Sequence, residues 1–174
     1  MKIALQRWID PRRFGASAVI CLLVSACAEP VPSDAALIET MRLDRAGFEE
    51  AIRVACETPA ITHFELRGQR PPKTTPASLA PVRVQSLQTF VTNHDISRMY
   101  FECGPPIFAS FDVASVGLGV SGQLKRLIFS PSGMSENVGG ALVADTDVGV
   151  AANSERWTQV HRDIGDGWFI SNSR

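Results

Sequence analysis

Little in this sequence announces a chemistry. Its three histidines, His63, His94 and His161, stand far apart and lack the H-x-x-x-H or H-E-x-x-H spacing of a metal site. The four cysteines include no C-x-x-C pair, which removes the common redox motif and the short ligand spacings of zinc. Neither sign of charge dominates, with 17 basic residues against 18 acidic ones. No basic cluster gathers into a nucleic-acid footprint, and no polybasic run is offered to anionic lipid head groups. Repeats and low-complexity tracts are absent. The apolar run from Phe14 to Val24 is too short to cross a bilayer comfortably as a helix. These absences name no catalytic residue, metal ligand, cofactor or nucleotide.

What is present is an address. Lys2, Arg7, Arg12 and Arg13 make a basic start, interrupted by Asp10-Pro11, and the apolar run follows it directly. That order is the pattern of an export signal, with an uncleaved N-terminal anchor as the rival reading. The run ends in Leu23-Val24-Ser25-Ala26-Cys27. Val24-Ser25-Ala26-Cys27 resembles the lipobox of bacterial lipoprotein signal peptides: an aliphatic residue, two small residues and a cysteine. The resemblance covers only the first 27 residues. It implies acylation of Cys27, cleavage just before it and a place in the bacterial cell envelope. It implies no activity. Arg12-Arg13-Phe14 lacks the residue that separates the arginine pair from Phe in a twin-arginine signal, so the general secretory route is expected. Ala28, standing where Asp favours retention in the inner membrane of enterobacterial lipoproteins, leans the address to the outer membrane, facing the periplasm.

Cleavage before Cys27 divides the chain into a signal peptide (1–26), a lipidated tether (27–33) holding Pro30 and Pro32, and one domain (34–174). Removing 26 of 174 residues leaves 148, a usual size for a single domain with its own core. The first 26 residues hold four basic side chains and one acidic one, so the remainder has 13 against 17 and a net charge of −4. Membrane contact is then expected through the acyl chains alone.

Of the cysteines, Cys21 is lost with the signal and Cys27 carries lipid. Cys56 and Cys103 remain, and in an oxidising compartment two remaining cysteines most simply pair. A reactive or metal-binding thiol pair is the alternative. Closing a loop of this length stabilises the fold by roughly 4 kcal/mol in the chain-entropy view.

The domain reads as α+β, with two helices packed on one face of a mostly antiparallel, curved sheet. Ser33-Asp34 offers an N-cap. Leu37, Ile38 and Met41, then Phe48, Ile52 and Ala55, predict a helix over about 35–56, with Asp44 restarting it. Alternation predicts a strand at 61–67. The four prolines in the stretch from Gly68 to Pro81, the last of them Pro81 itself, predict an irregular loop. A second helix follows from Val84, Leu87, Phe90 and Val91. Strands are expected at 97–103, 107–118 and 123–130. One helical turn is expected at 141–147, and a closing hairpin at 157–162 and 168–171 over Asp166-Gly167. The closing pattern, Ser121-Gly122 with Lys125 and later Asp166-Gly167-Trp168-Phe169, is similar to that of small bacterial proteins and supplies no function.

Letter matches to known motifs fail on context. Gly117-Leu-Gly-Val-Ser-Gly122 fits G-x-G-x-x-G, but a short β-rich segment follows where a nucleotide site needs a helix. Asp145-Thr-Asp147 begins like a calcium loop, yet the sixth and twelfth positions hold Val150 and Arg156. Ser121 lacks the spacing of a nucleophile elbow. Trp157 and Trp168 read as packing residues rather than a sugar platform. Glu65, Glu102 and Asp112 are acid–base candidates by type, but their parity with Arg67 and Arg98 suggests cross-strand ion pairs.

One constellation stands out. If the helices cover the Phe64, Leu66, Met99 and Phe101 face, the opposite face displays His63, Glu65, Arg67, Arg98, Tyr100 and Glu102. That face is either an ordinary solvated sheet surface or a place to receive a partner. Two functions follow: a non-catalytic, lipid-anchored envelope module that binds a partner protein or supports an assembly, or an envelope hydrolase with a His/carboxylate site assembled in space.

Overall fold

A computed structural model describes residues 31–67, 70–116, 122–134, 139–152 and 158–174. All lie in one unit, Val31–Arg174. The signal-like stretch with Cys27, Trp157, Ser121 and the glycine-rich stretch as far as 121 lie outside the described residues.

Helix α1 (Asp34–Ala55) starts where the capping signal is: the Ser33 hydroxyl oxygen accepts from the Ala36 N–H at 3.2 Å. It is broken once, at Asp44, which leaves helical geometry at φ −138°, ψ 38°. The Asp44 carboxylate accepts from the Gly47 N–H at 3.2 Å and so caps the second half. Strands β1 (His63–Arg67) and β2 (Arg70–Thr75) follow, then α2 (Pro81–Asn93), whose first residue is a proline suited to that position. Next come β3 (Arg98–Glu102), β4 (Phe108–Val116), β5 (Gln123–Phe129), β6 (Ala141–Leu142), α3 (Thr146–Ala152), β7 (Gln159–Gly165) and β8 (Trp168–Ser173). Between β7 and β8, Asp166 and Gly167 both take positive φ, 53° and 79°, the pairing that a two-residue hairpin turn requires.

The strands form one open sheet in the order β2-β1-β3-β4-β5-β8-β7-β6. Every neighbouring pair is antiparallel except β6 with β7. This corrects the expected fold class of two helices on a mostly antiparallel curved sheet. The sheet is mixed and eight-stranded, and the helices among the described residues number three. Two local expectations failed to produce that difference. The proline-rich stretch is strand β2, because Pro71 and Pro72 sit on an edge, where missing N–H donors cost little. The stretch 141–147 is not one turn but β6 leading into α3. A strand–helix–strand connection through α3 returns β7 alongside β6 in the same direction.

All three helices pack on one face. Phe48 of α1 meets Phe90 of α2 and Phe111 and Trp168 of the sheet, with ring centroids 5.0, 5.3 and 5.9 Å apart. Around them Leu37, Met41, Ile52, Leu87, Val91, Met99, Phe101, Leu127 and Ile170 are buried. Helix α3 lies over Asn172 and Val160 of the same face. No helix among the described residues is long and apolar enough to cross a membrane.

Both ends of α1 are tied down. At its end, Cys56 is bonded to Cys103 just past β3, with Cα atoms 5.2 Å apart. Arg83 of α2 donates there to the carbonyls of Val54, Ala55, Glu57 and Pro59 at 2.8, 3.3, 3.0 and 2.9 Å. At its start, Asp34 is fully buried beside Lys125 of β5, whose ammonium lies 2.8 Å from Asp34 Oδ1 and 2.6 Å from Asp147 Oδ1. Thr146 donates to Asp34 through its N–H and hydroxyl, at 2.8 and 2.5 Å. Burial pushes the Asp34 carboxyl up, but the hydrogen bonds from Lys125 and Thr146 outweigh it and hold the group below its ordinary range.

Candidate functional site

The sheet face away from the helices is organised by register. Directly paired residues of neighbouring strands share a face. Glu65 of β1 pairs with Lys73 of β2 and Arg98 of β3, Arg98 with Asp112 of β4, and Asp112 with Arg126 of β5. One row thus carries five side chains of alternating sign across five strands. Continuing the row, Arg126 pairs with Ser171 of β8, and Ser171 with His161 of β7. The adjoining row runs His63, Tyr100, Ser110, Ile128, Phe169 and Asp163.

The middle of the charged row is its best-made part. Asp112 is buried, and its carboxylate accepts from Arg126 Nε at 2.9 Å, with Arg98 Nε 3.8 Å away. Arg98 keeps 43 % of its side chain exposed. Beside it, Tyr100 is 44 % exposed and its ring lies 4.7 Å from that of His63. His63 Nε2 is 3.4 Å from Glu65 Oε2.

The face then changes character from polar to enclosed. Near β8 and β7, Ile128, Phe169, Ser171 and His161 are all buried. A cleft of about 410 Å³ opens there between Gly133, Met134, Gly139, Gly140, Leu142, His161, Asp163 and Phe169. His161 Nε2 lies 2.7 Å from the Gly139 carbonyl, which can only accept, so Nε2 carries the proton and donates. Nδ1 is then a buried acceptor without a partner among the described residues. Desolvation holds the imidazole pKa down, the Gly139 hydrogen bond opposes that, and the Arg126 charge adds to the lowering. Gly140, at φ +97°, lets the chain come this close: a Cβ there would stand 2.6 Å from the Gln159 carbonyl and 2.8 Å from His161 Nε2.

Of the six residues expected on this face, His63 with Tyr100 and Glu65 with Arg98 are direct cross-strand partners. Glu102 is exposed at the end of β3, opposite Phe108. Arg67 pairs in register with Arg70, and its side chain is outside the described residues. Sequence reasoning missed Lys73, because β2 was read as a loop, and it missed Arg126 and Ser171. A register count across β4, β5 and β8 is the signal that finds the last two.

Other candidates are scattered. The five-strand step from β1 to β7 separates His63 from His161 by about 24 Å at the usual strand spacing. His94 lies on the helical side, 2.8 Å from Asp44, with its ring 4.9 Å from Phe48. Asp145 caps α3, accepting from the Asp147 and Val148 N–H groups at 2.9 and 3.1 Å. Trp168 is a core residue. Among the described residues no group of three or more His, Cys, Asp or Glu side chains is arranged to hold a metal ion.

Fold and site together define a helix-backed open sheet whose bare face carries a charge ladder and, at one end, a small cleft. No protein-family model, curated protein or solved structure matches the chain.

Proposed function

We propose that this protein is a lipid-anchored module of the bacterial cell envelope, held by acyl chains on Cys27 in the outer membrane and facing the periplasm, which receives an envelope protein on its bare sheet face without catalysing a reaction. The anchor rests on Val24-Ser25-Ala26-Cys27 and the export pattern before it. The Cys56–Cys103 bond agrees with an oxidising compartment. The observation that carries the binding reading is the alternating row from Lys73 to Arg126. Its charges answer one another, which suits a surface that meets a partner with matched polar groups better than one that moves protons. Tyr100 and Arg98 are the contact residues, being a half-exposed aromatic and a half-exposed guanidinium of the kinds that dominate interfaces.

The test has two arms. Mass spectrometry of the N-terminal peptide should find acylated Cys27, and Cys27→Ala should release the domain from the membrane; an unmodified N-terminus removes the anchor. A photocrosslinker at Tyr100 should capture one envelope protein, and Arg98→Glu should abolish that capture. Equal capture from Gln85 on α2 would remove the partner surface.

A hydrolase with a spatially assembled site is the second reading, favoured only by the cleft that brings His161 and Asp163 together. It requires turnover of an envelope substrate that is lost in His161→Gln.

A further inference from the structure

On the bare face the two signs of charge are not equally on offer. Asp112 keeps only 3 % of its side chain exposed, whereas Arg98 on one side of it keeps 43 % and Arg126 on the other keeps 32 %. Strand register puts all three on this face, Arg98 opposite Asp112 and Asp112 opposite Arg126. Two cations against one anion leave one positive charge over, in a chain whose residues after 26 sum to −4. Lys73, at the edge of the same row, is exposed as well. Glu65 stands between Lys73 and Arg98 and has its own contact with His63 Nε2. The exposed Glu102 is four residues from Arg98, about 13 Å along β3.

Both guanidiniums turn the same atom towards Asp112. Arg126 donates through Nε at 2.9 Å, while Arg98 Nε is 3.8 Å away, too far for a hydrogen bond. Arg98 Nε is buried without a hydrogen-bond partner among the described residues. Among those residues, neither arginine makes a hydrogen bond through its Nη groups. The arginines of α1 differ. Arg42 closes on Glu39, Arg45 on Glu49 and Asp166, and Arg53 on Glu50 and Glu57. A guanidinium carries five N–H donors in a planar fork, and a carboxylate takes two of them side by side. Arg98 and Arg126 thus flank one buried carboxylate and keep donors open to solvent.

We propose that Arg98 and Arg126 form a fork that receives a carboxylate of the partner protein, so that the segment docking on the bare face is acidic. This rests on the partner-surface reading and names the partner's chemistry. An incoming carboxylate offsets the surplus positive charge and takes up the donors that Asp112 leaves unused. A neutral segment would strip water from those donors and leave them unpaired. Tyr100, two residues along β3 on the same face, supplies the apolar contact beside the fork.

The test uses the full lipidated chain in a neutral detergent at low salt, with hexaglutamate, hexaglutamine and inorganic phosphate as probes. The arginine Nε–Hε signals are followed by NMR. Hexaglutamate should move the Arg98 and Arg126 signals together, saturably and with one dissociation constant, and leave those of Arg42, Arg45 and Arg53 in place. Hexaglutamine should move none. Arg126→Gln should weaken hexaglutamate binding about tenfold. Arg98→Lys, which keeps the charge and loses the planar fork, should weaken it several-fold. Lys73→Gln removes the same charge outside the fork and should change binding less than twofold. Unmoved Arg98 and Arg126 signals overturn the fork. An equal loss in Lys73→Gln does so too, since it would mean diffuse attraction, and so does tighter binding of phosphate than of hexaglutamate at the same two signals. Photocrosslinking from Tyr100 separates the fork from the surface it rests on. Capture undiminished in Arg126→Gln, or of a segment without Asp or Glu, overturns the fork and leaves the partner surface standing. No capture from Tyr100 removes the partner surface and the fork with it.

Discussion

The two ends of α1 are secured by opposite means. At its start, a lysine from the sheet is completely buried between two carboxylates, Asp34 and Asp147, one of them buried as fully as itself. At its end, an arginine from α2 donates chiefly to neutral backbone carbonyls, next to a covalent bridge. The first arrangement is built on charge, with Thr146 adding neutral donors to Asp34, so each charged member depends on the others remaining. The second satisfies the carbonyls that every helix leaves unpaired at its C-terminus, and cations are favoured there by the helix dipole. Buried ion networks fail abruptly when one partner is removed, whereas a cap and a crosslink fail separately.

The largest effect should therefore come from the charged end. Lys125→Met leaves Asp34 and Asp147 facing each other without their cation, and should cost about 3–5 kcal/mol in urea unfolding. Adding Asp34→Asn should recover part of that loss; simple additivity of the two changes would mean the cluster is not a network. At the other end, replacing both Cys56 and Cys103 with Ser should cost about 2–4 kcal/mol, since the bridge spans 47 residues and closes a loop that holds β1, β2, α2 and β3. Equal stability of oxidised and reduced protein would contradict this. Arg83→Met removes the guanidinium from its carbonyls and should cost roughly 1.5–3 kcal/mol, the range for hydrogen bonds to charged groups.

Acid should separate the two ends. The folded Asp34 carboxyl is held below its ordinary value near 3.8, so its contribution is complete above that pH and is lost as the pH falls through the lowered folded value. His161 behaves alike in sign. Its folded pKa lies below 6.5, so stability is full above 6.5 and declines as the pH falls toward the folded value. Unfolding measured at pH 7 and pH 5 should show a loss that His161→Phe lacks, while the contribution of the disulfide stays constant. An identical pH dependence in wild type and His161→Phe would refute this. The smallest effect belongs to the bare face: Arg98→Gln should change stability by less than about 1 kcal/mol, because half-exposed pairs are screened by solvent. A larger loss would make the ladder a structural device rather than a surface.

Local patterns carried α1 almost to its ends, 34–55 against an expected 35–56, because its apolar spacing, its cap and the Asp44 interruption are neighbours in the chain. Strand β3 is legible from alternation, and β4, β5 and β8 from the turns they flank. Strand β2 was not, since its prolines argue for a loop until an edge position is known. Nor were β6 and α3: two residues are too few to show a period, and the seven residues of α3 are held by Asp34 and Asn172, which are remote in sequence. In the candidate site, the residues on β1 and β3 were visible by parity alone. Arg126 needed the register of two further strand pairs and His161 that of four.

Short-range chemistry was decided by the sequence itself. The Ser33 cap, the 3.6-residue spacing of Leu37 and Met41, the alternation around Phe64 and Met99, and the positive-φ turn at Asp166-Gly167 depend on residues within a few positions of each other. Tertiary structure alone decided the burial of Lys125, the alternating row from Lys73 to Arg126 and the enclosure of His161 beneath Gly139. Each joins segments separated by tens of residues, and the free energy of a charge depends on what surrounds it. A lysine in a strand reads as solvated until the fold brings two carboxylates to it.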